Sequence, residues 1–263
     1  MKKFLLPFIA LALMMSCSSD EKSVSEQKDS TLPKSISYVY PSLQLGTNSK
    51  GSLNYDGNKI VSILSEKSKK TFTYNGDLIV KQEEFDIDNG KEIKSSEVSY
   101  AYENQKLKTR IFREDFSQKY PDGQYIEKVI YTHSSSEIVT FIKYEVDNVT
   151  KEERKKSEGT LTYKNGNLTE EKEKFSAYTV TSLFEYDAKN NPLKNIVGFD
   201  ILLNEIDGFG KNNIVKLTRT ISGSATVGVY ITSYVYNEKD YPVKHSSFDG
   251  GGKYIEYEIE YAY

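Results

Sequence analysis

A tyrosine-containing phrase recurs along the chain and restricts it to short antiparallel strands. Each copy has an apolar strand that ends in tyrosine, a polar turn of four to six residues, and a branched apolar residue that begins the next strand. Seven copies lie between Tyr55 and Tyr236, and the tight ones cover residues 55–60, 74–79, 102–107 and 163–168. Three of these contain Asp-Gly or Asn-Gly, the dipeptides that favour type I′ hairpin turns. We therefore predict hairpins at these positions.

Apolar and polar residues alternate between the turns. Near the C-terminus, Tyr257 and Ile259 fall on one side of the chain, whereas Glu256, Glu258 and Glu260 fall on the other. A period of two, with frequent β-branched and aromatic residues, is typical of strands that have one face in water. Further Gly- and Asn-containing turn signals divide the chain into about a dozen short strands. The pattern predicts an all-β fold.

The N-terminus has the features of an export signal. Lys2 and Lys3 precede an apolar run over residues 4–15, which is too short for a permanent membrane helix. Cys17 follows this run, as in the lipobox of bacterial lipoproteins, although an ordinary secretory signal with an unmodified cysteine is the alternative. We predict a lipoprotein signal peptide over 1–16 and lipidation of Cys17. The polar stretch that follows predicts a disordered tether over 17–37 and a single β-repeat domain over 38–263.

Charge and cysteine content exclude several classes of protein. Removal of residues 1–16 takes two of the 35 basic residues and leaves 33 against 38 acidic residues, a net charge of −5. Nucleic-acid binding requires basic patches, and adhesion to anionic lipid requires the same. Because Cys17 is the only cysteine and is assigned to the lipid, no thiolate remains for a disulfide, a metal or a redox cofactor. We therefore expect no cofactor and no nucleic-acid partner.

No pattern of residues marks a catalytic centre. His133 and His245 are the only histidines, and a zinc site would need carboxylates from distant strands. Adjacent acidic residues point to opposite faces of a strand and cannot flank one bond. We assign no catalytic residue and predict that the protein is not an enzyme.

The repeat lapses between Tyr186 and Tyr236, and this interval holds the most irregular segment of the chain. An aromatic residue lies between two glycines there, which favours a recognition loop supported by the sheet. A plain connection between two strands is the alternative. The candidate recognition residues are Asn204, Gly208, Phe209, Gly210 and Asn213.

Two of the longer phrases resemble known repeats. Residues 186–193 (YDAKNNPL) and 236–243 (YNEKDYPV) are similar to the YD repeats of Rhs-type proteins. Together with the lipobox, they make the chain similar to uncharacterised YD-repeat-like (Rhs-like) lipoproteins of Bacteroidota-type bacteria. The resemblance implies an antiparallel β-meander that curves into an open sheet or incomplete barrel, and it brings no established activity.

Three functional classes follow from these observations. The first is a lipid-anchored protein of the cell envelope, on the periplasmic or cell-surface face of the outer membrane, with a non-enzymatic binding or scaffolding role towards a glycan, a peptide or an envelope protein. The second is a carrier of an apolar ligand in a partly closed β-barrel, which requires a cavity lined by tyrosine and phenylalanine. The third is a glycan hydrolase, which requires convergent carboxylates or a histidine in a cleft.

Overall fold

The computed structural model describes residues 31–263, and they form a closed antiparallel barrel of sixteen strands. The strands are β1 (Ser35–Val39), β2 (Ser49–Asp56), β3 (Lys59–Leu64), β4 (Ser68–Asn75), β5 (Leu78–Asp88), β6 (Lys91–Glu103), β7 (Lys106–Glu114), β8 (Tyr125–His133), β9 (Ile138–Val146), β10 (Glu153–Lys164), β11 (Asn167–Lys174), β12 (Thr179–Tyr186), β13 (Ile214–Ile221), β14 (Val227–Tyr236), β15 (Pro242–Phe248) and β16 (Ile255–Ala262). Each strand pairs with the next, and β1 also pairs with β16. Within residues 31–263 the helical structure is a single 3₁₀ turn (Phe199–Ile201). No helix in this part of the chain has the length and apolar character needed to cross a membrane.

The predicted all-β antiparallel meander is confirmed, but the predicted open sheet or incomplete barrel of about a dozen strands is wrong. The barrel closes because β1 lies between β2 and β16, where Tyr38 pairs with Ile259. Closure leaves no unpaired strand edge. Residues 35–37, which the sequence analysis assigned to the tether, form the first part of β1. The predictions for residues 1–30, including the signal peptide and Cys17, lie outside the described residues.

The four tight hairpins predicted from the tyrosine phrases are present as β2–β3, β4–β5, β6–β7 and β10–β11. In β10–β11, Asn165 and Gly166 both have positive φ, at 54° and 82°, as a type I′ turn requires. Two other turns are centred one residue later than the Asp-Gly and Asn-Gly dipeptides predict. Their first central residues, Gly57 and Gly76, have φ of 58° and 59° and are followed by residues of negative φ, which is the type II′ pattern.

Tyrosine hydroxyl groups join neighbouring hairpins. They donate hydrogen bonds of 2.5–2.8 Å to a carbonyl at or next to the start of an earlier strand, in the pairs Tyr102–Ile79, Tyr186–Leu168, Tyr234–Ile214 and Tyr263–Pro242. His133 takes the equivalent position in β8, with Nε2 2.8 Å from the Leu107 carbonyl. Other tyrosines of the repeated phrase differ: Tyr74 donates to the Val197 carbonyl, and the buried hydroxyl of Tyr163 has no partner among the described residues.

Apolar residues of β2 to β11 form the core inside the barrel. Phe141 and Leu161 are buried there, and Gly159 lies opposite Phe141 in the β9–β10 pair. A Cβ atom at Gly159 would lie 2.4 Å from the Phe141 ring, so only glycine fits at that position. Other apolar side chains are exposed on the outer face, among them Ile231 and Val235 of β14.

Ion pairs lie on the outer face of the barrel. Glu83 and Glu97 are paired across β5 and β6, and Lys94 Nζ lies 2.9 Å from the first and 2.5 Å from the second. Further ion pairs of the outer wall are Lys81–Glu83, Arg113–Glu97, Lys128–Glu153, Lys172–Glu170, Lys216–Glu185 and Lys244–Glu258. Exposed pairs of this kind stabilise a fold little.

Candidate functional site

The connection between β12 and β13, residues 187–213, folds into the barrel, and we call it the plug segment. Ile196, Phe199 and Leu202 are buried in the same apolar cluster as the inward residues of β2 to β11. The segment reaches the opposite wall, where the Val197 amide donates to the Asn58 carbonyl at 3.0 Å. The plug segment therefore crosses the barrel at the end formed by the tight hairpins.

A buried polar cluster holds the plug segment against β7 and β8. Glu205 accepts a hydrogen bond from the Tyr131 hydroxyl, and its Oε2 lies 2.9 Å from Arg110 Nε. Arg110 also contacts Glu127, at 2.5 Å. Burial raises the pKa of the Glu205 carboxyl, and the Arg110 guanidinium acts in the opposite direction. Burial thus favours the protonated form of the Glu205 carboxyl, whereas the Arg110 guanidinium favours the charged form.

A cavity of about 560 Å³ remains on the other side of the plug segment, and we call it the tyrosine chamber. Its walls are β1, β13, β14, β15, β16 and the plug segment. The rings that line it belong to Tyr38, Tyr230, Tyr234, His245, Tyr257 and Tyr261. It extends from Ile214, at the start of β13, to Glu256, near the start of β16, and so runs along most of the barrel. Its volume is typical of a site for a small organic molecule.

His245 lies between two of these rings. Its imidazole centroid is 5.1 Å from that of Tyr234 and 5.9 Å from that of Tyr257. Burial lowers the pKa of His245 to about 4, so the ring is neutral at pH 7. Its Nε2 is buried and has no hydrogen-bond partner among residues 31–263. A polar atom left unpaired in this way costs roughly 1–3 kcal/mol.

The tyrosine hydroxyl groups in the chamber differ in whether they make a hydrogen bond. Tyr234 donates to the Ile214 carbonyl at 2.8 Å, which fixes its ring. Four others make no hydrogen bond within the described residues: Tyr38, Tyr230, Tyr257 and Tyr261. Burial raises the pKa of Tyr38 and of Tyr261, so both hydroxyl groups stay protonated and able to donate.

The formal charge in the chamber is negative. Asp207, from the plug segment, and Glu256, from β16, line the chamber, and no lysine or arginine of the described residues does so. An anionic ligand would lie near these carboxylates without a cation to balance it, which is unfavourable in a partly buried site. The chamber therefore suits a ligand without negative charge.

A second cavity, of about 840 Å³, lies beside the plug segment and has a different character. Charged side chains from the turns line it, among them Lys106, Glu137 and Lys211. His133 also faces it, but its Nε2 is already 2.8 Å from the Leu107 carbonyl. Within residues 31–263 no group of three or more His, Cys, Asp or Glu side chains is arranged to hold a metal ion. Tyr163, whose buried hydroxyl has no partner among the described residues, also lines this cavity. The tyrosine chamber is the better candidate because six rings line it.

The predicted recognition residues belong to the plug segment. Asn204 donates to Glu171 Oε1 at 3.3 Å, and Phe209 packs edge-on against the Phe199 ring at 6.2 Å. Gly210 is buried and lines the second cavity. Gly208 and Asn213 line the chamber, and Gly208 is exposed. A role of these five residues in recognition stays a prediction.

Sequence reasoning missed the residues of the chamber. His245 was considered as a metal ligand or as a catalytic histidine in a cleft, and the tyrosines of β14 were not assigned to a site. The available signal was the alternation Tyr230, Thr232, Tyr234 and Tyr236, which places a row of polar-tipped side chains on one face of a strand. Alternation does not say which face is interior, so the row could not be recognised as a cavity wall.

Comparison with known proteins bears on the fold. No protein family model and no curated protein matches the chain. A porin-like protein from Bacteroides vulgatus has a similar structure, with a TM-score of 0.60 and 12% identity, over 89% of this chain and 98% of that one. A porin-like protein from Bacteroides uniformis gives a TM-score of 0.52 and 9% identity over the same shares. At such low identity the likeness concerns the fold alone.

The resemblance to YD-repeat (Rhs-like) proteins is wrong. The chain forms a closed sixteen-strand barrel, and the solved structures similar to it are porin-like proteins. The phrases at 186–193 and 236–243 misled because tyrosine before a polar turn has a local function here. In both phrases the tyrosine hydroxyl bonds within the barrel, Tyr186 to the Leu168 carbonyl and Tyr236 to Asp187.

Proposed function

We propose that the protein is a non-enzymatic binding protein of the cell envelope. A lipid on Cys17 anchors it to the outer membrane, the barrel stands in water beside that membrane, and a small ligand occupies its interior. In this proposal the barrel is a container and not a pore.

The observation that carries the proposal is the polarity of the barrel wall. A barrel that spans a membrane presents an apolar band about 25 Å tall to the lipid and keeps its polar side chains inside. This outer wall carries ion pairs such as Lys94–Glu83 and Lys244–Glu258, beside exposed apolar residues such as Ile231, while tyrosine and aliphatic residues cluster inside.

The size of the effect decides between the two locations. A lysine or arginine on the lipid face of a barrel costs roughly 2–4 kcal/mol at the bilayer midplane. Six basic side chains of the outer wall pair with acidic ones: Lys81, Arg113, Lys128, Lys172, Lys216 and Lys244. Some of these pairs lie near a strand end, as Arg113 does in β7, where the cost falls to about 0–1 kcal/mol. Three such side chains near the midplane would cost on the order of 6–12 kcal/mol, comparable to the whole stability of a domain. A lipid anchor with the barrel in water avoids this cost.

The interior supports binding over conduction and over catalysis. A sixteen-strand barrel normally encloses an aqueous channel, but here the plug segment fills the lumen beside β2 to β11. The space that remains is the tyrosine chamber, whose rings suit retention of a ligand. A low pKa makes His245 a poor general base at neutral pH, which favours a binding role. The glycan, peptide or protein partner predicted for an exposed sheet face has no support from a closed barrel and stays an alternative.

Membrane fractionation of wild type and Cys17→Ala tests the proposal. We expect the wild-type protein in the outer-membrane fraction and Cys17→Ala in the soluble periplasmic fraction. In this proposal the lipid on Cys17 is the sole attachment to the membrane, and the variant lacks it. Ser18→Ala is the matched control and should fractionate as wild type does.

Planar-bilayer recordings supply the second measurement. The purified wild-type protein should produce no stepwise conductance, since the outer wall carries ion pairs and the plug segment fills the lumen beside β2 to β11. Discrete channel openings, or Cys17→Ala that remains in membranes after a high-salt wash, would refute the container and favour a membrane-spanning barrel.

A further inference from the structure

We propose that the tyrosine chamber binds an uncharged ring compound that carries a hydroxyl group, with the ring against the chamber's tyrosines and the hydroxyl on the imidazole of His245. This inference rests on the proposed function, because it names the class of ligand that the barrel holds.

The ring surfaces of the chamber are continuous. Tyr38 and Tyr257 are 6.2 Å apart between centroids, Tyr257 and His245 5.9 Å, and His245 and Tyr234 5.1 Å. Aliphatic side chains complete the wall, among them Leu217. Flat apolar molecules gain both buried area and ring-to-ring contact on such a surface. The body of the ligand is therefore a ring system.

The imidazole of His245 supplies the polar contact. A neutral imidazole has one N–H donor and one acceptor nitrogen, and Nε2 has no partner among the described residues. A hydroxyl group both donates and accepts, so it satisfies this nitrogen in either tautomer. The His245 ring lines the chamber, and because the χ2 angle of histidine is broad, contact of a ligand with this nitrogen requires a rotation of the ring. An apolar ligand would leave the atom unpaired, so a hydroxyl is preferred.

Charge excludes one class of ring compound. Asp207 and Glu256 are the charged groups that the described residues bring to the chamber. A carboxylate on the ligand would meet like charge there. The ligand is therefore an alcohol or a phenol and not an acid.

A set of naphthalene derivatives separates these features. Intrinsic fluorescence titration of the purified protein at pH 7.5 would use 2-naphthol, naphthalene and 2-naphthoate, which share a ring system and differ in its substituent. We expect 2-naphthol to bind about tenfold more tightly than naphthalene, the ratio that corresponds to one hydrogen bond of about 1.4 kcal/mol. We expect no measurable binding of 2-naphthoate.

Variants assign the contact to its residue. His245→Phe keeps an aromatic ring and should lower the affinity for 2-naphthol about tenfold while the affinity for naphthalene stays the same. His133→Phe changes the other histidine, outside the chamber, and should leave both affinities unchanged. Leu217→Trp fills the chamber and should abolish binding of both compounds, with the far-ultraviolet dichroism of wild type showing that the barrel persists.

Several outcomes would overturn the inference. Equal affinities of 2-naphthol and naphthalene would remove the role of the hydroxyl, and an unchanged 2-naphthol affinity in His245→Phe would remove that of His245. Displacement of 2-naphthol by maltose at a lower concentration than by naphthalene would replace the ring compound by a sugar. Failure of every naphthalene derivative to bind would reject this ligand class but leave the proposed function standing, because fractionation and conductance test the latter without a ligand.

Discussion

Replacing His245 by phenylalanine should change how the stability of the protein depends on pH. Burial lowers the pKa of His245 from 6.5 to about 4 in the folded protein. Above pH 6.5 the side chain is neutral in both the folded and the unfolded states and contributes no pH dependence. Between pH 6.5 and 4 the unfolded chain binds a proton that the folded protein does not, so stability falls as the pH falls.

The expected size follows from the shift. One pKa unit corresponds to 1.36 kcal/mol, so a shift of about 2.5 units removes roughly 3 kcal/mol by pH 4 and about 2 kcal/mol by pH 5. His245→Phe lacks the titrating group and should escape this loss. At pH 7.5 the variant should be as stable as wild type or more so, because it also removes a buried nitrogen without a partner.

Urea denaturation at steps between pH 7.5 and 4.5 measures the effect as a difference between the two proteins. Carboxylates with lowered pKa values, such as Glu83 and Glu258, also contribute less to the stability of the fold as the pH falls. Both proteins contain them, so their contribution cancels in the difference. Tyr234→Phe is the matched control, since it alters the neighbouring ring and keeps the histidine. It should follow the wild-type slope. Parallel pH profiles of wild type and His245→Phe would refute the assignment of a buried neutral imidazole.

Three further predictions concern the free energy of unfolding, measured by urea denaturation at pH 7.5. Arg110→Met should cost about 3–5 kcal/mol by leaving the Glu205 carboxylate buried without its partner, and adding Glu205→Gln should restore part of it; an equal cost in the double variant would argue against the ion pair. Gly159→Ala should cost roughly 1–3 kcal/mol, because its Cβ meets the opposite ring, and a neutral effect would contradict that packing. Gly76→Val, at φ of 59°, should cost about 1–2 kcal/mol, more than Ser62→Val on the outer face, and the reverse order would be inconsistent with the hairpin register.

Local features of this fold could be predicted because they depend on neighbouring residues. The hairpin at 163–168 follows from Asn165 and Gly166, which adopt the positive φ that their side chains permit. The strand count came out too low where charge obscured the pattern. The run of mixed charge over residues 151–158 indicates a solvated tip of a hairpin, yet β10 already begins at Glu153.

Closure of the barrel could not be predicted, because it depends on a pairing between the two ends of the domain. Ser37 in β1 pairs with Glu260 in β16, and neither residue type indicates that the two strands pair. The plug segment is a similar case. Ile196, Phe199 and Leu202 show no helical or strand period, and their burial results from contacts with strands far away in the sequence. Sequence patterns report the local period and the turn, and they do not report which distant surface an irregular segment covers.

The position of the tyrosine chamber follows from the width of the barrel. Eight strands enclose a space that side chains alone can fill, whereas sixteen leave a lumen. The plug segment fills that lumen on the side of β2 to β11, where Phe199 packs against Phe72 at 6.1 Å. The tyrosines on the side of β13 to β16 are too short to reach across what remains, so a cavity persists there. One irregular connection thus provides the core on one side and, through Asp207 and Gly208, a wall of the binding space on the other. The two are physically linked, and a change that loosens the plug segment must alter both stability and ligand affinity.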